Sequence, residues 1–151
     1  MRIAGGEIVP EIEMVAWGSI LDLKMEIEKE LGVEVERQRL WYETREVRND
    51  EMIGAYRFRE GDTLNLTVRP LEEGRKLHIL VKQIGANGYV RMREIDKVSD
   101  LRNKVEKYWG IPQSLFTLRR FNTQMQDHLP LFAYYITEDT EIHLCLNLQP
   151  R

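Results

Sequence analysis

The stretch ILDLKMEIEKELGV at residues 20–33 and the stretch VSDLRNKVEKYWGI at residues 98–111 are one element written twice. Apolar residues recur at Ile20, Leu23, Ile27 and Leu31, and again at Val98, Leu101, Val105 and Trp109, the spacing that lines one side of an α-helix. Gly32 and Gly110 follow as C′ residues, where a left-handed backbone closes a helix. Ser19 with Asp22, and Asp96 with Ser99, offer side-chain oxygens to the first amides, so each helix has an expected N-cap.

Outward from the helices the likeness continues at a constant offset of 78 residues. Residues 12–70 laid on 90–148 without a gap give eleven identities in 59 pairs, against about three or four expected from average composition. Where the residues differ, the apolar character is kept, as at Ile20/Val98, Ile27/Val105, Val47/Met125, Ile53/Leu131, Leu64/Ile142 and Val68/Leu146. The core pattern is what repeats, so the chain is read as two copies of one domain.

Each copy ends on a period-two alternation: Leu64, Leu66 and Val68 in the first, Ile142, Leu144, Leu146 and Leu148 in the second. These are strands with one buried face. Before the second helix, Leu77, Ile79 and Val81 alternate, Gly85-Ala86-Asn87-Gly88 supplies residues tolerant of positive φ, and Val90 and Met92 resume the alternation, which predicts a β-hairpin. Apolar segments at Leu40–Tyr42 and Phe116–Leu118 add a strand after each helix, giving the order β-β-α-β-β with room for one more short strand. Mapped back by 78, the strand Leu77–Ile84 would begin before Met1, leaving Met1-Arg2-Ile3 in its place. Either Met1 is not the natural start or the first copy has an abbreviated strand. Pro70-Leu71-Glu72-Glu73-Gly74-Arg75 has no apolar period and reads as a joint, so the expected boundaries are 1–70, a linker at 71–75, and 76–151.

Composition narrows the function. A chain of 151 residues with a net charge of −3 and 42% hydrophobic residues is an ordinary globular protein. No apolar run approaches the ~20 residues that cross a bilayer, and Met1–Val9 lacks the features of a secretory signal. The lone Cys145 allows neither an internal disulfide nor a cysteine-built metal cluster, so a reducing compartment, cytosol or nucleus, is expected. The weak acidic balance gives no general reason to bind nucleic acid or anionic membrane. Charge is uneven, with ten Lys/Arg against fifteen Asp/Glu in residues 1–71 and twelve against ten in 72–151.

The chain resembles the ubiquitin family. In the second copy the resemblance rests on Asp100-Leu101, Trp109-Gly110-Ile111-Pro112, Leu131, Tyr134, and Glu138 leading to Ile142-His143-Leu144. In the first it rests on Leu23, Leu31-Gly32-Val33, Gln38-Arg39-Leu40, Ile53, Tyr56 and Gly61-Asp62-Thr63-Leu64-Asn65-Leu66. The resemblance implies an α+β fold of two tandem β-grasp domains, each a mixed sheet packed on one helix. It also implies that Tyr56 and Tyr134 brace the preceding loop. Family members that become attached to other proteins end in a flexible diglycine. Here the copies run out as Val68-Arg69-Pro70-Leu71-Glu72 and Leu146-Asn147-Leu148-Gln149-Pro150-Arg151, so a non-conjugated protein is expected. The family's two principal chain-linking lysines fall at Arg45 and Thr123, and at Glu60 and Glu138. Lys24 matches a family lysine and is read as an exposed, solubilising residue.

The family's partner-binding patch on the outer sheet face becomes Trp41, Asn65 and Thr67 in the first copy, and Arg119, His143 and Cys145 in the second. Trp41 is the leading candidate, because an outward tryptophan is a common interface anchor, and the second patch is expected to be polar. The function implied is a protein–protein interaction module, with ubiquitin receptors or proteasome subunits as candidate partners. Catalysis, a metal and a cofactor are not expected, since His143 and Cys145 share a strand face without an inferable acid or oxyanion donor. One alternative is RNA binding through Phe116, Arg119, Arg120 and Phe121, which interleave aromatics with cations. Another is a modifier released from a longer precursor.

Overall fold

The computed structural model describes residues 1–13 and 15–147. The chain divides between Pro70 and Leu71 into two compact units. The first holds β1 (Arg2–Ala4), α1 (Ile20–Leu31), β2 (Gln38–Tyr42), β3 (Arg45–Val47) and β4 (Thr63–Val68). The second holds β5 (Leu77–Gln83), β6 (Ala86–Met92), α2 (Val98–Trp109), β7 (Phe116–Arg120), β8 (Thr123–Gln124) and β9 (Thr140–Leu146). The sheet orders are β1-β4-β2-β3 and β6-β5-β9-β7-β8, each with one parallel pair, β1 with β4 and β5 with β9. This is the β-grasp arrangement in both units.

The 78-residue offset is obeyed by the backbone. Both helices begin and end on equivalent residues, and Leu40 faces Leu66 as Leu118 faces Leu144. Left-handed residues recur in equivalent pairs, at Glu43 and Phe121 (φ 58° and 55°) and at Arg57 and Tyr135 (φ 54° and 55°). Bulky residues are disfavoured there. The shared turns therefore follow from the fold rather than from matching residue types.

In α1, Ile20, Leu23, Ile27 and Leu31 are buried, and Gly32 (φ 78°) closes the helix with its N–H on the Glu28 carbonyl. The Asp22 amide donates to Ser19 Oγ at 3.1 Å and the Ser19 amide to the Asp22 carboxylate at 2.9 Å, the reciprocal cap expected there. The second cap differs from expectation. Its N-cap is Lys97, whose amide donates to Asp100 at 3.1 Å, while Asp96 is drawn away to the amide and guanidinium of Arg93. Val98, Leu101 and Val105 are buried, as are Leu118, Leu131, Ile142 and Leu144 from the strands and turns around them.

The hairpin of the second unit turns on two residues, Ile84 and Gly85 (φ 79°). The tolerance expected of Asn87 and Gly88 goes unused, because both lie within β6. Gly88 is small for another reason: a Cβ there would stand 2.9 Å from Trp109 and 3.0 Å from Tyr108. In the first unit the equivalent hairpin is abbreviated but in register. Arg2–Ala4 pair with Thr63–Asn65, and Met1 and Ile12 exchange hydrogen bonds of 3.1 and 2.8 Å. Pro10 occupies the position of Gly88 and offers its carbonyl to the Ile3 amide at 3.0 Å. The joint is held on both sides of the division. Arg69 exchanges hydrogen bonds with Arg37, through its amide at 2.7 Å and its carbonyl at 2.9 Å. The Leu71 amide donates to the carboxylate of buried Glu94 at 2.7 Å.

Candidate functional site

On the outer face of the first sheet, Trp41 lies opposite Asn65 and Arg39 opposite Thr67. The Trp41 indole N–H donates to Thr67 Oγ1 at 3.0 Å, and the Arg39 guanidinium covers the ring at 4.9 Å from its centre. Arg39 is itself held by Glu46 at 2.6 Å, a hydrogen bond that keeps the Glu46 carboxyl below the usual carboxylate range. Trp41 is therefore half-buried, with its polar edge occupied and one ring face covered. Asn65 and Thr67 are exposed beside it. The three residues form one flat, internally bonded surface.

The outer face of the second sheet is built differently. Arg119 lies opposite His143 in the β7–β9 ladder, and Thr117 opposite Cys145. Arg119 turns aside, its guanidinium donating to the carbonyl of Asn122 at 3.0 Å. Exposed His143 and half-buried Cys145 instead border an open concavity of about 620 Å³, lined also by Lys82, Ile84, Leu144 and Leu146. Lys82 pairs with Glu141 at 3.1 Å at its side. Two of the three expected residues are thus brought together and the third is not. Among the described residues, neither His143 nor Cys145 makes a side-chain hydrogen bond, so no base is aligned on the thiol.

Two residues of this concavity escaped sequence reasoning. Leu146 belongs to the alternation expected to be buried, yet as the last residue of β9 it is 53% exposed. Ile84 is fully exposed at the tip of the hairpin, where an isoleucine beside Gly85 has no core to enter. An apolar residue in a two-residue turn was the signal available. With Ile84 and Leu146 in place, the second face is less polar than Arg119, His143 and Cys145 alone suggest.

Three further expectations meet the structure as follows. Phe116 and Arg120 point inward and are buried, so of the four residues considered for RNA only Arg119 and Phe121 reach the surface. Burial pushes Arg120 down to about 10, and its guanidinium lies 4.1 Å from the Phe121 ring centre. Lys24 is buried rather than solubilising, and that burial lowers its pKa. The helix turns its stem toward the sheet with Ile20 and Ile27, a direction the sequence spacing permits and its charge disguises. Tyr134 accepts the Gln126 amide at 2.8 Å and so braces the loop before it. Tyr56 stacks on Phe58 at 5.2 Å and lies edge-on to Tyr42 at 6.4 Å.

The ubiquitin family model matches residues 11–71 and again residues 72–149. The chain belongs to the ubiquitin family. Its two matches abut near the division of the structure into units, and membership accounts for the two β-grasp sheets in one chain. Over 152 aligned residues the chain is also 30% identical to phosphatidylinositol 4-kinase gamma 3 of Arabidopsis thaliana, covering 94% of this chain and 25% of that protein. The chain thus spans a quarter of the curated relative it matches. Among the described residues, no helix is long and apolar enough to cross a membrane.

Proposed function

We propose that this chain is a tandem ubiquitin-like interaction module whose second domain engages protein partners through the concavity between Ile84, His143, Cys145 and Leu146. The supporting observation is the contrast between the faces: the first is closed by its own Trp41–Thr67 hydrogen bond and Arg39 cover, whereas the second offers an open apolar hollow with polar residues on its border. Such a hollow suits an apolar anchor from a partner, with His143 and Lys82 available at its edge for orientation. Ubiquitin receptors and proteasome subunits are the candidate partners, in cytosol or nucleus. The module acts unattached. Its internal joint lacks diglycine, and the bonds between Arg69 and Arg37 hold that segment against the first sheet. Residues 148–151, where the other expected non-conjugatable end falls, lie outside the described residues.

The test is titration of the ¹⁵N-labelled chain with ubiquitin-binding domains and proteasomal receptor subunits. Shifts should gather at Ile84, His143, Cys145 and Leu146 and leave Trp41, Asn65 and Thr67 unmoved. Shifts centred on Trp41, or a silent panel, would reject the assignment.

A second reading draws on the likeness to the lipid kinase. Here the two domains would supply partner binding within a kinase-like chain, without transferring phosphate themselves. Incubated with ATP and phosphatidylinositol, the 151 residues should give no phosphorylated lipid; turnover abolished by Cys145→Ala would replace the interaction reading with a catalytic one.

A further inference from the structure

The turn Val15–Gly18 leads into α1, is closed by the Gly18 amide on the Val15 carbonyl at 2.9 Å, and puts Trp17 at its tip. The backbone on both sides of that tip is fixed. The Gly54 amide donates to the Ala16 carbonyl at 2.9 Å, and the Ile53 amide to the Gly18 carbonyl at 2.8 Å. The first of these contacts is so close that a Cβ on Gly54 would stand 2.8 Å from the Ala16 oxygen. Trp17 itself is 80% exposed. Turn centres favour glycine, proline, asparagine, aspartate and serine, so neither the turn nor the core accounts for a tryptophan there.

Further exposed apolar residues lie at the same end of the domain. Met52 stands directly opposite Ser19, the N-cap of α1. Exposed Leu21 follows in the first turn of the helix, its amide on the Asn49 carbonyl at 3.2 Å. Met25, 56% exposed, lies one turn further along the same face. At the 78-residue offset Trp17, Met52, Leu21 and Met25 become Ile95, Pro130, Ser99 and Asn103, so along the second helix the stripe is polar. Charge separates the two helices as well. The exposed charged residues of α1 are Asp22, Glu26, Glu28, Glu30 and Lys29, against Asp100, Lys104 and Lys107 on α2. Only the first helix offers an apolar stripe within an acidic border.

Chemistry constrains what can cover that stripe. The main chain of α1 is spent on its own helical hydrogen bonds, so binding falls to side chains and no strand can be added. A ridge of residues four apart fits the groove of a second helix. The acidic border attracts a cationic partner, repels an anionic membrane surface, and sets a second copy of the same face against its like.

We propose that Trp17, Met52 and the Leu21–Met25 stripe of α1 form a docking surface for a basic amphipathic helix of a partner protein. The surface belongs to the first domain and shares no residue with the concavity of the second. Trp17 is the anchor, because its fixed turn presents the ring at little ordering cost. Lysines or arginines beside the apolar face of the partner meet Asp22, Glu26 and Glu28, so binding weakens as salt is added.

The experiment titrates the full chain with an amphipathic peptide carrying leucines on one helical face and lysines on the other. Affinity is read from the anisotropy of a fluorescein label, and the site from the indole N–H signals of the ¹⁵N-labelled chain. The Trp17 signal should shift while those of Trp41 and Trp109 stay in place. Trp17→Ser should weaken binding by about tenfold or more. Leu21→Ser combined with Met25→Asn, which writes the residues of the second domain into the first, should do the same. Glu26→Lys combined with Glu28→Gln, which keeps an acceptor for the Val35 amide, should weaken binding by a similar factor and flatten its salt dependence. Ile84→Ser should leave it unchanged. The proposal is overturned if a peptide with glutamates in place of the lysines binds equally well, if shifts gather at Ile84 and His143, or if no binding is seen at millimolar peptide. It is equally overturned if the chain inserts Trp17 into phosphatidylcholine vesicles, or if sedimentation shows the free chain pairing with itself through a face that the Leu21 and Met25 substitutions disrupt.

Discussion

At position 24 the first domain buries a lysine, and 78 residues on the second places a half-buried arginine at the equivalent helical position. Arg102 uses it fully: its guanidinium donates to the carbonyls of Phe116 and Gln113 at 3.1 and 2.6 Å, stands 3.2 Å from Asp127, and lies over the Phe116 ring at 4.8 Å. Lys24 has no planar fork to spread over two carbonyls. In the first domain Gln38, which replaces Phe116, takes over the task, donating to the carbonyls of Lys24 and Val33 at 2.9 Å each. One backbone therefore accepts two polar solutions: a strand glutamine ties helix and loop together in the first domain, and a helix arginine ties strand and loop together in the second. The outer faces repeat the lesson. Trp41 satisfies itself on its own sheet, whereas its counterpart Arg119 swings to Asn122 and leaves the neighbouring hollow open.

The largest expected effect tests whether the two copies are separate cores. Leu101→Ala, at a fully buried position, should cost about 2–5 kcal/mol and unfold the second domain, while amide exchange in α1 of the same chain stays protected. A variant melting within a degree or two of the parent would show that Leu101 is not core. Next, Arg102→Ala should cost about 2–3 kcal/mol, because two carbonyls and Asp127 lose a charged donor. Loss of less than about half that would show that the contacts around Arg102 are replaceable, as they are in the first domain.

Lys24→Met should be neutral or stabilising, since it removes a desolvated charge and keeps the stem. The sign follows from burial. A lysine whose folded pKa lies below its ordinary value of 10.5 burdens the fold while charged in both states, and the burden lifts as pH rises from the folded pKa toward the unfolded one. Stability of the parent relative to Lys24→Met, read by urea midpoints, should thus improve on approaching that value. A flat difference would contradict the assigned burial.

Smaller still is the contrast between faces. Ile84→Ser should weaken a partner bound to the concavity by about 1–2 kcal/mol, and Trp41→Ser should not; titration calorimetry reversing that order would exchange the roles of the two domains. Smallest is Glu138→Gln. The His78 amide donates to Glu138 at 2.7 Å and is the main cause of its lowered pKa. Its contribution is present above the unfolded carboxyl value and is lost as pH falls through the folded one. Because both side chains are largely exposed, the change should stay below about 1 kcal/mol, visible as a shallower acid limb of the stability curve.

What the sequence determined by itself was the periodic part. Ile20 to Leu31 and Val98 to Trp109 repeat at helical spacing, Leu64-Leu66 and Ile142-Leu144 alternate, and a gapless offset carries every turn with them, because burial of one face imposes a period that survives substitution. That sufficed for the fold, the two copies and the strand positions from which outward residues project. It did not suffice where a side chain's fate depends on neighbours remote in the chain. Lys24 is buried in spite of its charge, and Leu146, the last residue of its strand, is exposed in spite of its place in the apolar alternation. Trp41 is occupied because Thr67 and Arg39 meet it across the ladder, and Ile84 becomes the rim of a hollow because the hairpin brings it beside Cys145. Period is a property of one segment and can be read along it, whereas occupancy and exposure belong to the space between segments, which only the tertiary structure decided.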